Sequence, residues 1–523
     1  MRLRAARLVR FQNVMSIRLN ERLSSERAPP PAALKGLPSE LQSIREDLIA
    51  REAEVAQLLE AVHPDNLPSA RNLVHYVALR RNDIRDLQQR LSRVGLSSLS
   101  GCEPHVLATL DSIIALLNLA GIAPSRDRNS EPVSFSEGEE ILADNAERLL
   151  GPLPDGRAVR ILVTLPKEAA KNPELARELI AAGMDCARIN CARGKPKQWA
   201  AMAKNVREAA REFNRECRIL VDLAGPKLRT KRVPGGKKRL RLFAGKRFEL
   251  VKDGSVALKV KSALPRIGCT APEIFDDASV GQPIWFDDGK IGGVIEKKTP
   301  EGFLITVTHA KPKGEKLRED RSINLPETTL SLPALGEKDL ADLKSISPWA
   351  DAVEMSFVQR EEDILNLHKA LHDLGKENLG VVLKIEKERA FDALPRLILT
   401  AMRERNCGVM IARGDLAVEA GFERMTEIQE EILWIAEAAH VPTIWATQVL
   451  ENLAKEGMLS RPEVTDAAMS ARAEAVMLNK GRFIVEAIKT LDDILGRMKE
   501  HQSKKRSLYR ALKVSESLWR SRE

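Results

Sequence analysis

The chain has 523 residues, of which 43% are hydrophobic and 30% charged, and this balance excludes a mainly disordered or fibrous protein. At about 100–200 residues per domain, the length predicts two to four domains. No apolar run approaches the roughly 18 residues of a membrane-spanning helix, so we expect no membrane partner. The net charge of +9 comes from the two ends of the chain, and the nearly neutral middle predicts no nucleic-acid partner.

The pattern of cysteines indicates in which cellular compartment the protein is found. The six cysteines form no CxxC pair, so we expect neither a disulfide framework nor a zinc cluster. This pattern favours a reducing compartment, and we assign the protein to the cytoplasm. The first twenty residues contain five arginines and no acid, which also fits a transit peptide, so import into an organelle stays open as an alternative.

Composition and hydrophobic periodicity change along the chain. Apolar residues recur at helical spacing after Ser39, whereas residues 122–136 are rich in Ser, Arg and Pro. We therefore predict four segments outside the central region: a basic flexible leader (1–36), a helical module (37–121), a linker (122–150) and a basic C-terminal helix or tail (496–523).

In the rest of the chain, short β-branched runs alternate with longer helical stretches. Eight strand patterns, from Ile161–Leu165 to Ala475–Asn479, predict an α/β fold of the (β/α)₈ TIM-barrel type. A long gap separates the third and fourth strands, and residues 231–325 within it are predicted to form a small inserted β-barrel-like domain. The remaining 151–230 and 326–495 amount to about 250 residues, the usual size of one barrel.

Polar side chains cluster at the carboxyl ends of the predicted strands, the face on which TIM barrels carry their active sites. Arg188 and Asn190 are two residues apart, as are Lys384 and Glu386, so each pair points to one side of its strand. Other strand ends supply Asp222, Ser356, Asp415 and Thr447. Opposite charges from several strands at one end of a barrel predict a functional site.

The residue types in this cluster suit an anionic substrate. Glu386 and Asp415, with no His or Cys nearby, are hard oxygen ligands of the kind that bind Mg²⁺. Lys384 beside them can stabilise an oxyanion or a phosphoryl group in transfer. Gly414 and Asp415 open a helical stretch, so their amides can hold a carboxylate. Charge of the kind that grips phosphates comes from Arg188 and Arg229.

Seven ordered segments of the chain resemble those of the pyruvate kinase family. They are Ala187–Asn190, Val221–Thr230, Asn324–Pro326, Leu332–Ala334 followed by Glu337–Asp339, Leu383–Glu386, Met410–Leu416 and Ala446–Glu451. The similarity covers about 157–490. It implies transfer of the phosphoryl group of phosphoenolpyruvate to ADP, which gives pyruvate and ATP in the last step of glycolysis, with Mg²⁺ or Mn²⁺ as cofactor.

The resemblance also implies roles for individual residues around the metal. Glu386 and Asp415 would hold the ion. Lys384 would stabilise the phosphoryl group and the enolate, and Thr447 would help to deliver a proton through water. The amides of Gly414 and Asp415 would hold the substrate carboxylate.

Further implied roles concern the phosphates and the insert. Ser356 matches a position near the transferring phosphate. The residues facing the nucleotide phosphates would be Arg188, Arg229 and Arg193, the last at a position where the family has His. Asp288 matches a residue of the lid, here the inserted domain, which closes over the site and keeps water from the reaction.

One departure from the family concerns potassium. Members that need K⁺ bind it through Asn, Ser, Asp and Thr side chains. Asn190 and Asp222 remain here as a remnant of that site, whereas Ala192 and Leu223 replace the other two ligands. Lys227 stands where those members have a nearby Glu, so we expect it to replace the charge of the ion and K⁺ not to be required.

Other departures keep alternatives open. The loop after the eighth strand is shortened to Asn479–Arg482 and little chain follows, so we expect no regulatory C-terminal domain, and a homo-oligomer would need another contact. One alternative is a metal-dependent pyruvate or enolate lyase on the same barrel, against which Arg229 and the insert argue. The other is a non-catalytic homologue acting as a binding or scaffold protein. The predicted cluster argues against it, because a scaffold would not need unpaired charges around an empty metal site.

Overall fold

The computed structural model describes residues 36–119, 132–233, 239–252, 264–499, 501–504 and 506–507. The chain divides into two compact units. The first comprises Met1–Leu59 and Pro68–Glu139, and the second comprises Glu60–Leu67 and Glu140–Glu523. Nearly all of the predicted leader and most of the predicted basic tail lie outside the described residues.

The first unit is helical. Its helices are α1 (Leu37–Glu54), most of α2 (Ala56–Glu60), most of α3 (Leu67–Leu79), α4 (Arg85–Arg93) and α5 (Val106–Leu119). Leu37, Leu41 and Leu48 of α1 are fully or almost fully buried. The Nε atom of Arg45 lies 2.6 Å from Oδ1 of Asp111, so a buried ion pair joins α1 to α5. The attraction between the two charges offsets the free-energy cost of removing them from water.

Part of the predicted linker is a helix. Helix α6 spans Phe135–Leu150, so the linker prediction is wrong from residue 135 onward, and residues 122–131 lie outside the described ones. The helix forms because Leu142, Ala146 and Leu149 recur at helical spacing and are buried on one face. The polar residues between them make the apolar stripe hard to recognise in the sequence.

The second unit is built on a barrel, and its first three strands precede the inserted domain. These strands are β1 (Arg160–Thr164), β2 (Cys186–Asn190) and β3 (Arg218–Asp222). Helices α7 (Pro173–Ala181) and α8 (Pro196–Glu212) connect them. Pro173 and Pro196 each occupy the first helical position, where the missing N–H leaves no hydrogen bond unmade.

An inserted domain follows β3. Its strands are β4 (Thr230–Lys231), β5 (Arg239–Leu242), β6 (Arg247–Val251), β7 (Arg266–Cys269), β8 (Pro283–Phe286), β9 (Ile291–Thr299), β10 (Gly302–His309), β11 (Glu315–Arg318) and β12 (Ile323–Asn324), with α9 (Ile274–Asp277) between β7 and β8. Seven strands form one sheet in the order β12-β8-β9-β10-β6-β7-β4, and β5 pairs with β11. Its core includes Phe248 and Phe286, whose rings meet edge to face 5.6 Å apart.

Five further strands complete the barrel. They are β13 (Ala352–Met355), β14 (Gly380–Ile385), β15 (Cys407–Ala412), β16 (Thr443–Ala446) and β17 (Ala475–Leu478). The accompanying helices are α10 (Glu337–Ile346), α11 (Glu361–Asp373), α12 (Glu388–Asp392), α13 (Leu394–Ala401), α14 (Arg413–Ala420), α15 (Met425–Ala438), α16 (Glu451–Glu456), α17 (Arg461–Met469) and α18 (Ile484–Met498). A short ribbon of β18 (Gln502–Ser503) and β19 (Arg506–Ser507) follows.

The eight barrel strands are parallel and closed in the order β1-β17-β16-β15-β14-β13-β3-β2, which confirms the predicted (β/α)₈ barrel. None of the helices in the described parts of the chain combines the length and apolarity needed to cross a bilayer. The five cysteines of the second unit carry free, buried thiols, and they are Cys186, Cys191, Cys217, Cys269 and Cys407.

The N-terminal end of the barrel is filled by apolar side chains. Leu149 and Leu150 of α6 join the inward-facing residues of the strands in one buried cluster. Gly380 and Gly408 make room for Leu149, because a Cβ on either glycine would lie 2.5 Å or 2.4 Å from its methyl carbons. The barrel therefore has a close-packed floor, and its polar groups lie toward the other end.

We predict that Leu149→Ala destabilises the barrel by about 2–5 kcal/mol, because it opens a cavity in this floor. Leu153→Ala, at a position that is 51% exposed, is the matched control and should change stability by less than about 0.5 kcal/mol. Urea denaturation followed by circular dichroism measures both. Equal denaturation midpoints for the two variants would contradict the assigned role of Leu149.

Candidate active site

The polar residues predicted at the strand ends converge inside the barrel. Side chains alternate along a strand, so residues two apart on β2, β13 and β14 face the interior together. Above the apolar floor, this alternation brings charged and polar side chains into one layer, in which all members but the half-buried Asn190 are buried. Its members are Arg188 and Asn190 from β2, Asp222 from β3, Glu354 and Ser356 from β13 and its end, and Lys384 and Glu386 from β14 and its end.

Lys384 lies at the centre of this layer. Its ammonium is 3.0 Å from Oδ1 of Asp222 and 2.9 Å from Oε1 of Glu386, and it donates a 2.7 Å hydrogen bond to Oγ of Ser356. Burial alone would lower the pKa of Lys384, but Asp222 and Glu386 outweigh it and raise the pKa above its ordinary value. Lys384 is therefore a fixed positive charge.

Asp222 is the acceptor that most of these donors share. Its Oδ2 accepts hydrogen bonds from Arg188 at 2.5 Å and from the Asn190 amide at 2.6 Å. Its Oδ1 accepts hydrogen bonds from Lys384 at 3.0 Å and from Ser356 at 3.1 Å. Burial tends to raise the pKa of Asp222, but the charges of Arg188 and Lys384 hold it below the usual range.

Arg188 is bound by two carboxylates inside the barrel. Its guanidinium is buried, and its Nε donates to Glu354 at 2.6 Å while another nitrogen donates to Thr164 at 3.2 Å. Arg188 is predicted to face nucleotide phosphates, and within the barrel its guanidinium is bound by Asp222 and Glu354. The reason is that it points inward at the depth of two carboxylates that need a counter-charge.

Glu354 is a site residue that the sequence reasoning missed. It is 0% exposed, and its Oε1 atom has no hydrogen-bond partner among the described residues. Burial raises the pKa of this carboxyl, and the nearby Arg188 only partly offsets that effect. The available signal was the strand alternation, because Glu354 is two residues before Ser356 and must share its face.

Glu386 and Asp415 are the pair that can offer oxygens to a metal. Oε2 of Glu386 accepts a 2.7 Å hydrogen bond from the Phe357 amide. Burial raises the pKa of Glu386, whereas Lys384 lowers it and the neighbouring charge of Asp415 raises it further. Among the described residues, no group of three His, Cys, Asp or Glu side chains is arranged for metal binding. A metal here would complete its shell with water and substrate, as Mg²⁺ does.

Lys227 is bound to Asp415. Its ammonium lies 2.9 Å from both carboxylate oxygens. Burial would raise the pKa of Asp415, but Lys227 overcomes this effect and keeps the pKa below its usual range. At the predicted remnant of the cation site, Arg188 and Lys384 already balance the charge of Asp222. Lys227 supplies its charge beside the candidate metal ligands instead.

The space next to this ion pair is narrow. A cavity of about 20 Å³, lined by Lys227, Asp415, Phe357 and Lys387 among others, has room for about one water molecule. The carboxylate pair fits a hard divalent ion by its chemistry, since each oxygen keeps a second lone pair. An ion at this carboxylate pair would lie close to the ammonium of Lys227, so the two positive charges would compete for Asp415.

Thr447 directly follows β16 and has an unusual backbone conformation. The φ angles of Thr447, Gln448 and Leu450 are 68°, 60° and 46°, in the left-handed region that non-glycine residues rarely adopt. Arg413 donates hydrogen bonds to the Ala446 and Thr447 carbonyl oxygens at 3.0 Å and 2.5 Å and pairs with Asp466, which holds this corner in place.

The hydroxyl of Thr447 is buried and has no hydrogen-bond partner within the described residues. A Cβ atom added to Gly414 would lie 3.6 Å from this hydroxyl oxygen, so Gly414 lies directly beside it. Gly414 and Asp415 belong to the first turn of α14. A buried donor without a partner beside free helical amides can bind a polar ligand group.

The predicted nucleotide arginines and the lid residue lie toward the insert. Arg229 and Arg193 approach different oxygens of Asp320 at 3.2 Å and 3.9 Å, so these two arginines share one exposed carboxylate. Asp288 is exposed, and its carboxylate accepts a 2.7 Å hydrogen bond from Ser322 of the insert. The adjacent Gly289 lies against Val418 of α14.

A family model described as the barrel domain of pyruvate kinase matches residues 156–488, more than half of the chain. A protein of Bacillus licheniformis named pyruvate kinase is 30% identical over 370 residues, which cover 69% of this chain and 61% of the relative. The Methylorubrum extorquens pyruvate kinase is 34% identical over 345 residues, covering 65% and 68% of the two chains.

A further relative is the rat pyruvate kinase PKLR, which is 30% identical over 352 residues. The match covers 64% of this chain and 58% of that relative. The chain thus spans about three fifths of the length of the Bacillus and rat proteins.

We predict that Asp222→Asn destabilises the barrel by about 3–5 kcal/mol near neutral pH, because it leaves two buried cations undercompensated. The pKa of Asp222 is lower in the folded chain than the unfolded value of about 3.9, so its contribution is complete above that value. The contribution is lost as the pH falls through the folded pKa. The difference in stability between wild type and variant should therefore narrow in acid.

Urea denaturation of both proteins at a series of pH values measures this difference. Asp155→Asn, at an exposed turn position, is the matched control and should track the wild type throughout. A difference that is absent near neutral pH, or that widens in acid, would show that Asp222 is not the shared counter-charge.

Proposed function

Because the chain belongs to the pyruvate kinase family, we propose that it transfers the phosphoryl group of phosphoenolpyruvate to ADP and so produces pyruvate and ATP, the last step of glycolysis. The observation that carries this proposal is the buried ammonium of Lys384 between Asp222 and Glu386 at the carboxyl ends of the strands. A fixed charge in a site with little water stabilises the negative charge of a transferring phosphoryl group and of an enolate oxygen.

Glu386 and Asp415 are the proposed ligands of Mg²⁺ or Mn²⁺. A divalent ion bound there would neutralise negative charge on the substrate oxygens. The four carboxylate oxygens are now engaged by Lys384, Lys227 and the Phe357 amide. The ion and Lys227 therefore compete for Asp415, and Lys227 would move toward the substrate phosphate when the ion binds.

The remaining residues of the site would orient the substrate. The amides of Gly414 and Asp415 at the start of α14 would hold its carboxylate. The unpartnered hydroxyl of Thr447 would order the water that protonates the enolate. Ser356, which accepts a hydrogen bond from Lys384, would lie near the transferring phosphate.

Nucleotide binding is assigned to the end of the site nearest the insert. Arg229 and Arg193 would exchange their shared contact with Asp320 for the phosphates of ADP. Arg188 would act from within the barrel by holding Asp222 in place. The insert would serve as the lid, with Asp288 at its inner turn, and its closure would keep water from the phosphoryl group.

A non-catalytic binding or scaffold protein is the second candidate. The specific observation in its favour is that Lys227 occupies both oxygens of Asp415 beside a cavity of about 20 Å³. The charges of the site are also paired with one another, so the expectation of unpaired charges cannot be used against a scaffold. An assay of pyruvate formation with variants of the site separates the two candidates.

We predict that Lys384→Met lowers the rate of pyruvate formation from phosphoenolpyruvate, ADP and Mg²⁺ by at least about 10²-fold, because it removes the preorganised charge. Lys489→Met on the exposed face of α18 is the matched control and should keep the wild-type rate. A lactate dehydrogenase-coupled assay measures all three proteins.

Because loss of Lys384 can also weaken folding, Thr447→Val provides a second variant whose lost hydroxyl has no hydrogen-bond partner among the described residues. This variant should melt like the wild type and still turn over more slowly. Equal rates for the wild type, Lys384→Met and Thr447→Val would exclude catalysis at this site and favour the scaffold candidate.

We further propose that activity does not need K⁺, because Lys227 brings its own positive charge to the site. The expected result is the same rate in potassium-free tetramethylammonium buffer as in potassium chloride. Lys227→Met should be at least about tenfold slower in both buffers, since Ala192 and Leu223 offer no side-chain oxygen to an added ion.

Lys231→Met, at an exposed position on β4, is the matched control for the loss of one lysine. It should behave as the wild type does in either buffer. Strict dependence of the wild type on K⁺, or full activity of Lys227→Met, would contradict the proposed role of Lys227.

A further inference from the structure

A second concave site lies at the end of the barrel opposite the candidate active site. It is a cleft of about 740 Å³ at the amino ends of β3, β13, β14 and β15. Its lining includes Arg218 at the start of β3, Asp351 before β13 and Asn406 before β15. Proven small-molecule sites commonly have volumes of about 300–1,000 Å³, so the size fits a metabolite.

The cleft is strongly basic. Five cationic side chains line it against the single carboxylate of Asp351, and the cations are Arg148, Arg207, Arg211, Arg218 and Lys376. The fold has little use for so many like charges in one concavity, because they repel one another across a space with restricted water. An anion in the cleft would relieve that repulsion.

Several of these cations have unused hydrogen-bonding capacity. Arg207 pairs with Asp351 at 2.6 Å. Arg218 approaches Glu216 at 3.6 Å and Asp351 at 3.9 Å, and its buried Nε has no partner in the described part of the chain. Within the same residues, no carboxylate lies within ion-pair distance of Arg211 or Lys376.

The other groups that line the cleft indicate which class of anion it can bind. Trp349 is partly exposed in the cleft and offers an apolar ring, while Asn378 and Asn406 offer amides. Arginine forks match the oxygens of phosphate, and an aromatic wall suits the organic part of a phosphorylated molecule. A nucleic acid would need an extended basic track, whereas these charges surround a concavity.

We propose that this cleft binds a small phosphorylated molecule with two or more negative charges. Arg211 and Lys376 hold its phosphate groups at the mouth, and the positive charge of Arg218 attracts them from the amino end of β3. The site is independent of phosphoryl transfer, because none of its residues belongs to the candidate active site.

Isothermal titration calorimetry of the full chain with inorganic pyrophosphate, in EDTA and at low ionic strength, tests the proposal. We expect saturable binding that weakens as salt is added. In the double variant Arg211→Ala/Lys376→Ala, affinity should fall by at least about tenfold, because two charge-assisted contacts are lost. Both side chains are at the surface, so the variant should fold normally.

The double variant Lys231→Ala/Lys489→Ala, at two exposed positions outside the cleft, is the matched control and should retain wild-type affinity in this titration. The proposal is overturned if the wild type shows no saturable binding at millimolar pyrophosphate. It is also overturned if affinity falls in the double variant Arg193→Ala/Arg229→Ala, at the opposite end of the barrel, and not in Arg211→Ala/Lys376→Ala. The readout needs no turnover, so its failure is distinct from a failure of the proposed catalytic function.

Discussion

The structure depends on burying several ionic groups inside a closed barrel without leaving any of them far from an opposite charge. A lone ion in such a place is so costly that it would shift its pKa or unfold the barrel. The solution is an alternating arrangement in which each cation has one or two acidic neighbours. Its pairs are Arg188 with Asp222 and Glu354, Lys384 with Asp222 and Glu386, and Lys227 with Asp415. Counted this way, four carboxylates face three cations, and a divalent ion would reverse the sign of the balance.

The rest of the barrel serves this arrangement by keeping it rigid and dry. Below it, Leu149 fits between two glycines and closes the floor with apolar packing. The charged layer begins only two residues further along the strands, toward their carboxyl ends. Beside it, Arg413 fixes the backbone after β16 through two carbonyl oxygens. On the other side, the insert places Gly289 against α14, so its position is linked to the helix that carries Asp415.

Much of this could be predicted from the sequence, because local patterns carry it. The β-branched runs gave the barrel strands to within one or two residues, and strand alternation correctly placed Lys384 with Glu386. Pairings between distant segments could not be predicted in this way. Lys227 and Asp415 are far apart in the sequence, and only the closed barrel brings them together. The pairing of Arg188 with Glu354 was not predicted for the same reason. Helix α6 was missed because its apolar face is meaningful only against the barrel floor.

The corner after β16 imposes a compromise on the evolution of the protein. Three residues in a stretch of four hold backbone angles that typically cost about 1–3 kcal/mol each, and that cost is tolerated where a neighbouring structure enforces it. Substitutions that let the corner relax would make the chain more heat-resistant while turning the Thr447 hydroxyl away from Gly414. Selection for robustness alone would therefore erase this corner, and its persistence in a lineage would be a sign that the chemistry beside it is being used.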